Sequence, residues 1–173
     1  MLPNIRMVSG LSGSGKSTYV DEYSDPIVDI FMSTDDTIQE ICDDHGFTYN
    51  EGFSSLIDFA TKVYNKDVEF VNKYHENIIG SIWIDQTNLS AKSRMKKLAQ
   101  FKFPSYNTCY YFPLHLTNSE EWVRRLNSRE GKTIPDNVMS SMLSQYQPPT
   151  YSEGWDQIFR VDEDGTHTLM ENN

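Results

Sequence analysis

"SGLSGSGKSTYV", residues 9–20, follows the short apolar segment "IRMV" at 5–8. Its fixed positions are Gly10-x-x-x-x-Gly15-Lys16-Ser17, the G-x-x-x-x-G-K-[ST] pattern of a loop that cradles phosphates. Backbone N–H groups converge on a phosphate only where side chains leave the approach open, which is the use of Gly10, Gly13 and Gly15. Ser12, Ser14 and Thr18 complete the expected nucleotide cradle. Lys16 supplies a point charge for the β- and γ-phosphates, and the Ser17 hydroxyl a ligand for Mg²⁺. "IRMVS" has the character of a buried strand, and "KSTYVDEY" opens a helix whose N-terminus attracts anions. A mere Gly/Ser turn has no reason to keep this register between a strand and a helix. The stretch is read as a nucleoside triphosphate site, and the question it raises is which hydroxyl receives the phosphate.

At 173 residues, 38% hydrophobic and 13% aromatic, the chain suits one globular domain over 1–173. Cys42 and Cys109 have neither metal nor redox spacing and are expected to be small buried hydrophobes. The four histidines are scattered, which argues against a transition metal. The segment "MLPNIRMV" lacks the apolar run of a signal peptide, and no stretch is long enough to span a membrane. A cytoplasmic location is the expectation.

The net charge of −10 argues against a nucleic-acid partner until its distribution is considered. Residues 1–90 carry 5 basic and 15 acidic side chains, and residues 133–173 carry 1 and 7. Residues 91–132 reverse the balance, with 9 basic against 3 acidic. Such a band beside a phosphate site serves either a polyanion or the nucleotide alone.

Strand and helix signals alternate along the chain, predicting an α/β fold with a mostly parallel sheet of about five strands flanked by helices. A second strand is expected over 26–34, then a helix capped at Ser33 or Thr34 and closed by Gly46. An amphipathic helix follows over 54–78, with Leu56, Phe59, Ala60, Val63, Phe70, Val71, Tyr74 and Ile78 as its apolar face. "GSIWIDQTN" is a third strand, "LSAKSRMKKLAQF" a helix capped by Ser90, and "NTCYYFPLHL" a fourth strand. A helix capped by Asn118 or Ser119 leads into the glycine loop "EGKTIP", and Pro135 opens another helix. "DQIFRVD" is the last clear strand, and the tail after it is either a hairpin or frayed.

Asp35 and Asp36 follow the second strand, and catalytic groups of open parallel sheets gather at such carboxyl ends. Asp35 is read as the general base for an attacking hydroxyl, with helix capping as the bland alternative. Asp85 ends the third strand and is expected to orient a Mg²⁺-bound water or Lys16, with Thr87 and Asn88 as nearby hydrogen-bonding groups. Arg124, Arg125, Arg129 and Lys132 surround the glycine loop, an arrangement that can close over a triphosphate and exclude water. Lys92, Arg94, Lys96 and Lys97 form either a solvated helix face or a polynucleotide contact.

Taken together, "GLSGSGKST", "STDD", "IDQTNLS", "NSREGKTIPDNV" and "QPPTYSEGWDQIFRV" resemble the kinase module of the bacteriophage-type 5′-hydroxyl polynucleotide kinases, within the adenylate-kinase-like P-loop kinases. The resemblance spans roughly residues 5 to 161. It implies a P-loop NTPase fold with a helical lid near 124–135, ATP as phosphate donor and Mg²⁺ held by Ser17 and, through water, Asp85. It makes Asp35 the base and Arg129 the lid arginine, and sets Arg125 near the nucleotide. The residues themselves offer Asp36, Thr87, Asn88, Lys92 and Lys96 as the candidates on the acceptor side. Members of that type carry an arginine three residues after the base to hold the acceptor's phosphate, whereas this chain has Ile38. Any partner activity in end healing is expected on another chain.

Three functions follow from these features. One is transfer of the γ-phosphate to a 5′-OH of DNA or RNA in end repair. A second keeps the donor but changes the acceptor to a hydroxymethylated base in DNA, a nucleoside or nucleotide, or another small hydroxyl compound. The third is a non-catalytic nucleotide switch, which has no use for a base at Asp35.

Overall fold

Along β1 (Asn4–Gly10), Ile5 and Met7 point to one side of the sheet and Val8 to the other, and all three are buried. A strand apolar on both faces needs cover on both, as in parallel sheets with helices above and below. In the computed structural model, which describes residues 2–172, this cover is present. On one side Ile5, Met7, Ile82, Ile84 and Ile158 pack against Tyr64, Val68 and Val71 of the long helix α3 (Tyr49–Tyr74). On the other, Val8, Trp83, Tyr110 and Phe112 pack against Tyr19 and Val20 of α1 (Lys16–Tyr23).

The sheet has the order β2-β3-β1-β4-β5-β6. Here β2 is Ile30–Met32, β3 Ser81–Asp85, β4 Tyr106–Phe112, β5 Gln157–Val161 and β6 His167–Leu169. The first five strands run parallel, and β6 returns antiparallel on β5. The tail thus forms the hairpin, adding a sixth strand to the five expected.

Three boundaries differ from expectation for visible reasons. The second strand shrinks to three residues because Asp25–Asp29 forms a turn, the Asp29 N–H reaching the Asp25 carbonyl at 2.9 Å. The Asp29 carboxylate then accepts the Ser81 N–H at 2.6 Å and the Trp83 indole N–H at 2.9 Å, tying that turn to β3. Strand β4 stops at Phe112, and the Pro113 carbonyl accepts the Leu116 and Thr117 N–H groups to start α5 (Leu114–Thr117). Helix α3 starts five residues early, on a capping box between Thr48 and Glu51. Its buried face is Gly52, Ala60, Tyr64, Val68 and Val71, while Phe59 and Phe70 are exposed.

The remaining helices follow the sequence signals. Helix α2 (Thr34–His45) is capped by Ser33, whose hydroxyl accepts the Asp36 N–H, and ends at left-handed Gly46. Ser90 caps α4 (Ala91–Leu98), and Asn118 caps α6 (Ser119–Asn127). Pro135 sits at the cap of α7 (Asp136–Gln145), one position before the first helical residue. Both cysteines are free and buried.

Candidate active site

The phosphate loop connects β1 to α1 at the carboxyl end of the sheet, where the strand order reverses between β3, β1 and β4. Gly13 and Gly15 adopt φ of +78° and +98°, which L side chains rarely accept. A Cβ on Gly10 would stand 2.8 Å from the Ser14 hydroxyl and 2.9 Å from Phe112, so Gly10 shapes the underside of the loop. Ser14 Oγ is buried without a partner, and Lys16, 8% exposed, donates to the Leu11 carbonyl at 3.0 Å. An unpartnered hydroxyl beside a buried cation and an open glycine loop fits a bound phosphate.

Burial lowers the Lys16 pKa to about 8, against the opposing pull of Asp85 and Asp35. Asp85, at the end of β3, is buried and its carboxyl is raised by desolvation, with Lys16 and a hydrogen bond from Ser17 opposing. Desolvation also raises Asp36, helped by the charge of Asp85. Carboxylates packed beside Ser17 make a donor set suited to a hard divalent cation, with Ser17 and Asp85 as the residues that would hold Mg²⁺. Among the described residues no group of three His, Cys, Asp or Glu forms a dedicated metal cage.

Asp35 stands on the first turn of α2. Its Oδ1 accepts the Tyr49 hydroxyl at 2.8 Å, and Lys132 Nζ lies 3.0 Å from Oδ2. Burial pushes this carboxyl up, but Lys132, Tyr49 and Lys16 together hold it below the usual carboxylate range. Lys132 also sits 3.7 Å from the centre of the Tyr49 ring, a cation–π contact.

One cavity of about 1,020 Å³ joins these groups. The loop residues Ser12–Thr18 line it with Asp35, Asp36, Asp85 and Thr87, and so do Arg125 of α6 and Arg129 and Lys132 of the loop after it. Arg125 pairs with Glu121 at 2.6 Å and donates to the Glu163 carbonyl, linking α6 to the turn between β5 and β6. Its guanidinium lies 3.2 Å from where a Cβ on Gly15 would be.

Several expected site residues are elsewhere. Asn88 does not line the cavity: it is 2% exposed at φ +46°, and its side-chain N–H donates to the Val8 carbonyl at 2.7 Å, bracing the strand under the loop. Lys92 and Lys96 are exposed on α4, away from the cavity lining. Arg94, from the same basic run, is fully buried in an ion pair with Glu153 at 2.7 Å. Lys97 donates to Gln86 and Asn88, and burial lowers its pKa to about 8. Arg124 pairs with Glu121 outside the cavity. The basic band is therefore divided among unrelated tasks. Ile38, at the position where the resembled kinases carry an arginine, lies in the core with Cys42 and Ala60.

Sequence reasoning did not place Tyr49 or Trp122 in the site, and named Lys132 only as part of a cluster. Trp122 donates its indole N–H to the Ser12 carbonyl at 2.8 Å, fixing the loop from α6. Tyr49 is 14 residues from Asp35 and across a helix break, a separation that leaves no periodic signal.

A chain of the Pnkp1/Rnl/Hen1 RNA repair complex is similar in structure at 21% identity and a TM-score of 0.59, over 99% of this chain and 49% of that one. This chain thus spans about half the length of that relative. A protein of the PezAT toxin–antitoxin system of Streptococcus pneumoniae is similar at 14% identity and 0.51, over 96% and 70%. A gluconokinase from Sinorhizobium meliloti is similar at 16% identity and 0.50, over 93% and 83%. At these identities the likeness is one of fold, that of the P-loop kinases. No curated protein matches the sequence. Among the described residues no helix is long and apolar enough to cross a membrane. The AAA domain model matches residues 5–149, and with the phosphate loop built as described the chain belongs to that family of P-loop proteins.

Proposed function

We propose that this chain is an ATP-dependent phosphotransferase that moves the γ-phosphate to a hydroxyl, the acceptor being a 5′-OH end of DNA or RNA. The observation that carries the reading is Asp35, a carboxylate oriented by Tyr49 in the same cavity as the phosphate loop. A nucleotide switch needs no such group. In the transfer, the acceptor oxygen bonds to the γ-phosphorus as its proton passes to Asp35. The bond from that phosphorus to the β–γ bridging oxygen breaks, and a nucleoside diphosphate leaves. Lys16 and Arg129 offset the charge that develops on the phosphoryl oxygens. Mg²⁺, when bound, neutralises the donor's phosphates.

For the acceptor, the cavity continues from Asp35 along Tyr49, Phe53 and Ile57 of α3 and Val138 and Met142 of α7. An apolar, partly aromatic wall suits a stacked nucleobase, and the structural relative from an RNA repair complex supports the same class. A small hydroxyl acceptor is the second reading, favoured by the position of Lys92 and Lys96 outside the cavity.

The test offers labelled ATP with 5′-OH oligonucleotides, hydroxymethyl-pyrimidine DNA, nucleosides and small polyols. Label is expected on the oligonucleotide 5′ end, with similar kcat/KM for short and long strands. Asp35→Asn should lower kcat by about 10²-fold or more, and Asp36→Asn by less. Label on polyols alone would replace the acceptor, and ATP binding without transfer to any of them would leave a switch.

A further inference from the structure

In the free protein both oxygens of the Asp35 carboxylate are occupied, one by Tyr49 and one by Lys132. A carboxylate paired to an ammonium is a poor proton acceptor, so a base in this state is covered. The cover is borne by the lid. Lys132 follows Gly131, whose φ of +67° turns the chain against Thr48. Among the described residues, segment 129–134 makes two hydrogen bonds to the rest of the protein, the Lys132–Asp35 pair and the Asn50 N–H donated to the Gly131 carbonyl at 3.3 Å, beside the contact of Lys132 with the Tyr49 ring. The pair is open to solvent on the Asp35 side, half of whose side chain is exposed, while Lys132 is largely covered and lies over the Tyr49 ring. Lys132 also lines the same cavity as the phosphate loop, Ser12–Thr18, so its flexible stem faces the space that a triphosphate would fill. A lysine suits a change of partner: it is a point charge on a flexible stem, without the two-toothed grip of arginine.

We propose that Lys132 exchanges anions: paired with Asp35 in the free protein, it moves to the γ-phosphoryl oxygens when a triphosphate binds and bares Asp35 for the acceptor's proton. The role of Asp35 in this exchange rests on the phosphotransferase reading above. Tyr49 stays behind and keeps the freed carboxylate in position. A diphosphate offers no γ-group, so the base is covered again once product forms. Lys132 is then a residue of the reaction with two partners in turn, one for each state of the nucleotide.

The test is a double-mutant cycle on binding. Affinities for ADP and for a non-hydrolysable ATP analogue are measured with Mg²⁺ by calorimetry in wild type, Asp35→Asn, Lys132→Met and the double variant. With Lys132 free of its carboxylate, Asp35→Asn should improve the preference for the analogue over ADP by roughly tenfold. In the Lys132→Met background the same change should move that preference by less than about twofold, and Lys132→Arg should restore the coupling. ADP affinity reports an intact loop and should stay level in all variants. Equal improvement with and without Lys132 would mean that Asp35 acts on the phosphates through space alone, and the exchange would be wrong.

A second readout is the Asp35 carboxyl pKa by NMR, which should rise more with the analogue than with ADP. Lys132, Tyr49, Lys16, Asp36 and Asp85 all act on this carboxyl, and the added phosphate raises it by itself. Lys132→Met is therefore the reference, and the wild-type rise should exceed its rise by about one unit. Matching rises would overturn the exchange. Neither measurement uses turnover: intact coupling without transfer removes only the phosphotransferase reading, and transfer without coupling removes only the exchange.

Discussion

Lys16 shows what a phosphate site costs the free protein. Its ammonium is buried, and desolvation brings its pKa to about 8 from 10.5. The folded value lies below the unfolded one, so the native state gives up this proton first as pH rises. The penalty of the buried charge is present in full below about pH 8 and is relieved between there and 10.5. Lys16→Met should accordingly stabilise the nucleotide-free protein at pH 7, by up to about 3 kcal/mol, while abolishing nucleotide binding. Thermal melts at pH 7 and pH 10 should show the gain shrinking at the higher pH. A variant less stable than wild type at pH 7 would mean that the Leu11 carbonyl contact matters more than the buried charge.

At the scale of elements, the segment from α6 to α7 is firmly held at one end and loosely at the other. Helix α6 is anchored by buried Trp122, which packs with Leu11, Leu89 and Leu114 and bonds the Ser12 carbonyl. No residue of α7 is fully buried, and weakly packed elements are those that open locally. Movement at the lid tip is thus compatible with a fixed hinge side at α6. Trp122→Phe keeps most of the packing and removes the donor, leaving the Ser12 carbonyl without its indole partner. It should weaken ADP binding by roughly fivefold, about 1 kcal/mol, with an unchanged far-UV spectrum. Unaltered ADP affinity would show that the loop holds its shape without the lid.

Across the whole molecule, Arg94 and Glu153 join parts distant in sequence. The fully buried guanidinium pairs with both Glu153 oxygens at 2.7 Å and donates to the carbonyls of Asn88, Leu89 and Gln147. It thereby ties α4, the turn after β3 and the segment before β5 into one unit beneath the phosphate loop. Removing one partner of a buried pair leaves an uncompensated charge, at about 3–5 kcal/mol. Arg94→Met should lower Tm by about 10 °C and leave ADP affinity at low temperature close to wild type. A change of only a degree or two would show that the segment before β5 holds itself in place.

The sequence by itself determined the phosphate loop, the parallel α/β order and the cap at Ser90, and narrowed two more caps to Ser33 or Thr34 and to Asn118 or Ser119, because each is set by residues within a few positions of one another. A glycine register, a strand period and a hydroxyl at a helix start are local physics. It also put Asp35 just after the second strand and Asp85 at the end of the third, where the structure has them, since a carboxylate there needs only the strand to be recognised. Tertiary structure alone decided the fate of the basic residues. Arg94 and Lys92 sit two apart on one helix, yet one is fully buried against Glu153 and the other is in solvent. That outcome depends on a glutamate 59 residues away. The face of α3 was legible only in part, because Phe59 and Phe70 satisfy helical spacing as well as Tyr64 and Val68 do. Which stripe is covered depends on where β1, β3 and β5 stand. The contact of Lys132 and Tyr49 on Asp35 joins the loop before α7 to the first turns of α3 and α2, and only the folded sheet brings those three within hydrogen-bonding distance.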